Sequence, residues 1–117
     1  MKRVLVDLNV VLDVLFDRYP HGHAAVSLWK AVEAGRIEAL LPAHGLTTIY
    51  YLAARRRDAA FARRVTQDLV AVFGVAPVDR KVVLRALALG WSDFEDAVCA
   101  AAAEEAGCDA IVTRDPD

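Results

Sequence analysis

Arg3-Val4-Leu5-Val6-Asp7-Leu8-Asn9-Val10-Val11 carries an apolar run of strand length that ends on a carboxylate. Three consecutive β-prone residues with no polar interruption are what a strand buried on both faces requires, and such strands belong to parallel sheets covered by helices. The pattern returns at the other end of the sequence, where Ile111-Val112-Thr113 leads into Arg114 and Asp115. In open parallel sheets ligands collect outside the carboxyl ends of strands, so Asp7 and Asp115 can converge across the length of the chain. A third acid, Asp96, stands between them in Ser92-Asp93-Phe94-Glu95-Asp96-Ala97.

Working outward from the first strand, placed at 3–6, the spacing of Val10, Val11, Val14 and Leu15 predicts a short helix over 9–16, with Asp7 and Asn9 in the turn before it. A second helix is expected over 21–34 after Tyr19-Pro20, stopped by Gly35 in a left-handed cap, followed by a strand over 37–41. Pro42 opens a helix over 43–56, and Asp58 caps another with Phe61, Val65, Leu69 and Val72 on one face. Gly74 stops that helix, Val75-Ala76 forms a brief strand, and Asp79 caps a helix ending near Gly90. Ser92 and Glu95 match a capping box, which places Asp93, Glu95 and Asp96 in the first turn of an Ala-rich helix ending at Gly107. The last strand is expected over 110–113. Strands alternating with helices specify a parallel sheet with right-handed crossovers and helices on both faces.

The chain has 117 residues, enough for one domain that needs no disulfide to fold, and 56% of them are hydrophobic, which excludes a disordered chain. It stops just after the last acidic motif, where such a domain is expected to add a further strand or helix. Net charge is −2, so the bulk balance does not announce a nucleic-acid binder. Distribution is more informative: Arg55-Arg56-Arg57 and Arg63-Arg64 concentrate five cations in one stretch. That stretch reads either as a surface for phosphates or as a solvated helix face. Cys99 and Cys108 lack any metal-ligand spacing and read as reduced thiols in apolar surroundings. The apolar amino-terminal segment is broken by Asp7, Asn9 and Asp13, and no other run is long enough to span a membrane, so the expected compartment is the cytoplasm.

Carboxylates crowded at one point repel one another, and a divalent cation is the simplest means of holding them together. Asp96 suits ligation because Ala97-Val98 after it begin a buried stripe, and Asp93, three residues earlier, would share its helix face. The competing reading is that the helix dipole favours acids in a first turn by about 0.3–1 kcal/mol each, with no function implied. Asp7 resists such a reading, since a carboxylate among valines must be paired or coordinated. Asn9 either hydrogen-bonds Asp7 or a metal-bound water, or makes an ordinary Asx turn. Arg114 reads equally as an ion-pair partner.

Taken in order, Val4-Leu5-Val6-Asp7-Leu8-Asn9, Asp93-Phe94-Glu95-Asp96-Ala97 and Val112-Thr113-Arg114-Asp115 resemble the motifs of a PIN domain, the α/β ribonuclease fold of the VapC toxins of toxin–antitoxin pairs. The resemblance covers essentially the whole chain, and the motifs are specific jointly rather than singly. It implies a three-layer fold with a central parallel sheet flanked by helices. It further implies a Mg²⁺- or Mn²⁺-dependent endoribonuclease in which Asp7, Asp96 and Asp115 hold the metal, with Asn9 and Thr113 supporting. RNA as substrate, an antitoxin protein as partner and a homodimer follow from the same resemblance, with Arg55, Arg56, Arg57 and Arg114 as RNA contacts.

One departure stands out. PIN domains usually place a further acid on the helix after the second strand, where Leu46-Thr47-Thr48-Ile49-Tyr50-Tyr51 offers Thr48. Asp93 is expected to restore the missing charge as an additional metal ligand. The alternative is a catalytically weak or inactive PIN-like module that binds RNA or a protein partner. A phosphotransfer or receiver domain is disfavoured because none of Lys2, Lys30 and Lys81 follows a late strand and Asn9 stands where a second acid would be. His21, His23 and His44 lack a nucleophile partner and read as surface or helix-cap residues. Trp29 and Trp91 read as packing residues, and Tyr50 and Tyr51 as core and rim.

Overall fold

A computed structural model describes residues 1–16 and 22–113, apart from the side chains of residues 22–25. The expectations placed on His21, His23, Arg114 and Asp115 fall outside what is described. Strands β1 (Lys2–Val6), β2 (Ile37–Pro42), β3 (Gly74–Ala76) and β4 (Ala110–Val112) form one parallel sheet in the order β3-β2-β1-β4. Helices α1 (Leu8–Leu15), α2 (Gly22–Glu33), α3 (Ala43–Arg56), α4 (Ala59–Val72), α5 (Arg80–Leu89) and α6 (Phe94–Glu105) cover it. Among the described residues no helix is long and apolar enough to cross a membrane.

β1 lies at the centre because its apolar run can be buried on both sides. The twofold alternation of a strand sends Val4 and Val6 into one core, with Val11, Leu41, Ile49, Val65, Leu69 and Phe73, and Leu5 into a second core, with Val82, Ala86 and α6. The chain runs from β1 to β2 to β3 with α1 to α4 on the Val4 face. It then reverses, passing through α5 and α6 on the Leu5 face to reach β4 on the far side of β1. Right-handed crossovers demand this change of face when direction changes. The reversal falls between β1 and β4, and at their carboxyl ends it leaves the crevice where open α/β sheets bind ligands.

Local chemistry sets the element ends. Asp58 accepts from the Phe61 N–H at 2.8 Å and Asp79 from the Val82 N–H at 3.1 Å, so the two expected caps form. Gly90 closes α5 in the left-handed conformation at φ 67°, which lets the chain turn sharply toward α6. Gly74 starts β3 rather than merely ending α4. A Cβ there would press on the Leu40 Cδ2, the movable end of that side chain, so a larger residue at this point would displace Leu40 on the neighbouring strand.

α6 approaches the sheet closely because the residues it buries are small: Ala97, Ala101, Ala102 and Ala103 are all buried there. Extra methylenes at this interface have no space to enter. Ala102→Leu is expected to cost about 1–3 kcal/mol of stability by overpacking. Urea unfolding should show a lower midpoint at an unchanged slope.

Candidate functional site

Asp7 follows the last residue of β1 and occupies the N-cap position of α1 in an extended conformation. Its N–H donates to the Val112 carbonyl at 2.9 Å, which ties the end of β1 to the end of β4, and its carbonyl accepts from the Val10 N–H at 3.0 Å. Its side chain makes no capping hydrogen bond. The other three aspartates at helix N-caps, Asp58, Asp79 and Asp93, all do. Asp7 therefore leaves a common stabilising role unfilled, with its carboxylate half-buried at the crevice between β1 and β4.

The acids at the start of α6 act on the same buried thiol, Cys99, as Asp7 does. Ser92 and Glu95 do not form the expected capping box: Asp93 is the N-cap, its Oδ1 accepting from the Asp96 N–H at 3.1 Å. Both Ser92 and Asp93 can cap, and the residue nearer the first turn prevails because its carboxylate lies over the orphan N–H. Asp93 consequently precedes the helix instead of sharing an α6 face with Asp96, and one of its oxygens is engaged. Glu95 and Asp96 lie exposed in the first turn, where the helix dipole favours them.

Electrostatics link the two groups of acids. The Cys99 thiol, buried one turn below Asp96, is pushed up to about 12 from an ordinary 9.0, first by burial and then by the negative charges of Asp7, Glu95, Asp96 and Asp93. One thiol thus senses the end of β1 and the start of α6 together. Among the described residues, no three His, Cys, Asp or Glu side chains are grouped so as to hold a metal ion. A magnesium ion needs less, because it is commonly held by one or two carboxylates, its own waters and substrate phosphates. Hard oxygen donors in a negative field, with Asp7 free of cap duty, fit such an ion.

The remaining candidates are distributed unevenly. Asn9 sits within the first turn of α1, half-buried, so it is helical and not the turn residue expected between strand and helix. Thr113 is exposed immediately after β4, which ends one residue earlier than expected. Thr48 is half-buried in α3, its hydroxyl donating to the His44 carbonyl at 3.5 Å beside the Thr47 hydroxyl at 2.7 Å.

Arg55, Arg56 and Arg57 are exposed at the far end of α3, about 20 Å of helix rise from its start beside the strand ends. Each guanidinium lies over a ring: Arg55 over Tyr51 at 5.6 Å, Arg56 over Phe16 at 4.6 Å and Arg57 over Phe61 at 4.7 Å. Arg56 and Arg57 thereby fasten α3 to the end of α1 and to α4.

Other expectations need correction. Trp29 does pack, edge-on to Phe73 at 5.1 Å, but Trp91 is 51% exposed. Tyr50 and Tyr51 are both exposed, so neither belongs to the core. His44 is half-buried, and its Nδ1 is buried without a hydrogen-bond partner among the described residues. Cys99 and Cys108 are both free, the second only partly buried.

The family model described as PIN domain matches residues 3–117. Ribonuclease VapC1 of Aquifex aeolicus (strain VF5) is 25% identical over 118 residues, covering 97% of this chain and 82% of that protein. Among solved structures, Mycobacterium tuberculosis VapC20, a toxin that cleaves the sarcin–ricin loop, superposes with a TM-score of 0.75 at 19% identity, over 97% of this chain and 91% of that one. A toxin–antitoxin complex from Klebsiella pneumoniae gives a TM-score of 0.70 at 18% identity, covering 96% and 86% of the respective chains. VapBC2 of Rickettsia felis, bound to a DNA fragment from its promoter, gives 0.68 at 10% identity, covering 97% and 88%.

Two outcomes follow from the geometry. Because Asp7 makes no cap bond, Asp7→Asn should leave the thermal midpoint unchanged, whereas Asp58→Ala should lower stability by about 1 kcal/mol. A thermal melt of the two variants checks this. The raised Cys99 value also carries a sign. The folded state holds the thiol proton more tightly than the unfolded chain, so this contribution is complete below pH 9 and lost as pH climbs toward 12. Cys99→Ala should flatten that alkaline loss, measured by unfolding between pH 8 and the alkaline limit.

Proposed function

The chain belongs to the PIN domain family, and on that premise we propose that it is a divalent-metal-dependent endoribonuclease, the toxin of a toxin–antitoxin pair. The observation that carries this reading is Asp7: it stands at the sheet's switch point, as a helix N-cap that does not cap, in one field with the acids of α6. The name and activity of the VapC relatives support the same reading.

In this proposal Asp7, Asp96 and Asp115 hold Mg²⁺ or Mn²⁺. Once bound, such an ion supplies charge neutralisation for the phosphodiester and a water of lowered pKa. The protein's own part is positioning. The Asp7 N–H bond to Val112 fixes the spacing of β1 and β4, and so the distance across the crevice. Asp93 holds the first turn of α6 and thereby the backbone of Asp96, and it adds negative charge at the rim. Asn9 and Thr113 offer neutral hydrogen-bonding groups to either side of Asp7. Thr48 adds no charge, and its hydroxyl serves the His44 carbonyl.

RNA is the proposed substrate, with Arg114, next to Asp115 in sequence, and Arg55, Arg56 and Arg57 on α3 as phosphate contacts. An antitoxin and a second copy of the chain are the proposed partners. α5 leaves Val83, Leu84 and Leu87 exposed, an apolar face that a protein partner would cover.

Purified protein incubated with a mixed RNA pool should cut it in Mg²⁺ or Mn²⁺ and not in chelator. Asp7→Asn and Asp96→Asn should each lose cutting by at least a hundredfold while remaining folded. A folded protein that binds metal but leaves RNA intact would instead identify a binding module, the consequence of Thr48 standing where an acid is usual.

A further inference from the structure

Residues 55–64 hold five arginines, Arg55, Arg56, Arg57, Arg63 and Arg64, against one acid, Asp58, in a chain whose net charge is −2. They occupy the turn from α3 to α4, and all five are exposed. Asp58 is engaged as the α4 cap, its Oδ1 accepting from the Phe61 N–H. Among the described residues the ion pairs go to Arg3, Lys81 and Arg85, and none to these five. Three of the five are laid on aromatic rings instead: Arg55 over Tyr51, to whose hydroxyl it also donates at 3.0 Å, Arg56 over Phe16 and Arg57 over Phe61. Phe61 and Arg64 are three residues apart on α4 and share a side of that helix, so Arg57, Phe61 and Arg64 form a row across the turn. Arg63 is turned about 200° from Phe61 around α4 and stands apart from the row.

The dipole of α3 favours cations in its last turn, which accounts for Arg55 and Arg56 being there. It accounts neither for the rings beneath them nor for the further arginines on α4. A ring covers one face of a guanidinium, leaves its N–H edge open and holds the side chain in place, so less freedom is lost when a ligand arrives. Edge-on, the fork of donors matches the oxygens of a phosphate. Crowded cations without carboxylate partners repel one another, and a ligand of repeated negative charge relieves them together. A phosphodiester backbone supplies one such charge per nucleotide.

Resting on the ribonuclease reading above, we propose that Arg64 joins Arg55, Arg56 and Arg57 in a ring-backed clamp on the phosphodiester backbone of RNA. Phosphates carry no sequence information, so the clamp supplies affinity and not the choice of cleavage site.

The test uses full-length protein carrying Asp7→Asn, so that RNA is not consumed in Mg²⁺, and a mixed-sequence single-stranded RNA oligomer whose affinity is measured across a series of salt concentrations. Arg55→Gln and Arg64→Gln should each weaken binding and make the slope of log affinity against log salt shallower by about 0.7, the share of one phosphate contact on a single strand. Arg63→Gln should leave both quantities nearly unchanged. Phe61→Leu keeps every charge and removes the ring beneath Arg57, so it should weaken binding about two- to fivefold at an unchanged slope. A loss of fold would not produce this division between slope and affinity.

Unchanged salt slopes in both Arg55→Gln and Arg64→Gln would overturn the inference, as would an equal effect of Arg63→Gln, which would reduce the row to diffuse surface charge. Binding of polyglutamate as tightly as RNA of equal charge would also overturn it, and would make the surface a site for an acidic protein segment. If Asp7-intact protein cuts RNA while these variants bind it normally, only the clamp fails. If wild-type protein neither binds nor cuts RNA, the ribonuclease reading fails with it.

Discussion

The hydrogen bond from the Asp7 N–H to the Val112 carbonyl joins the two strands between which the chain reverses direction. The proposed metal site lies at that junction. β1 can sit at the centre of the sheet only because Val4, Leu5 and Val6 satisfy two separate cores. Once β1 is central, right-handed crossovers force α1 to α4 onto one face and α5 and α6 onto the other. The strand ends then open into a crevice with a helix start from each layer facing it: α1 after Asp7, and α6 after Asp93.

Helix N-termini carry partial positive charge, which explains why acids can gather there without tearing the fold apart. Asp93 uses that environment conventionally, by capping. Asp7 does not, and the difference separates an acid that serves the fold from one left for chemistry. The Cys99 thiol, kept protonated by burial and by four acids, is a by-product of the same concentration of charge. Placing a small, buried, neutral side chain under the acids lets α6 stay close to β1 without a cation of its own.

Most of the architecture was legible because it follows from local rules. Short apolar runs marked the strands, Asp58 and Asp79 capped where expected, and Gly90 stopped α5. Misreadings arose where two local rules competed or where the deciding contact was remote. Ser92 and Asp93 are both good caps, and only the three-dimensional turn decides between them. Trp91 looks like a core residue by type, yet it falls between a left-handed glycine and a helix cap, a connecting segment that has no core to enter. The partners of Arg56 and Arg57 are rings on other elements, Phe16 and Phe61, which no spacing rule connects to an arginine triplet. That Asp7 would forgo capping was also invisible, because an aspartate after a strand and before a helix ordinarily caps.

The central claim is that one divalent ion site is built at the junction of β1, β4 and α6. It is tested most directly by adding Mn²⁺ to isotopically labelled protein and following paramagnetic broadening of the amide signals. Saturable broadening centred on residues 7–9, 93–97 and 113–115, displaced by Mg²⁺ and absent in Asp7→Asn, is the predicted result. Broadening that is absent, or centred elsewhere on the surface and indifferent to Asp7→Asn, would contradict it.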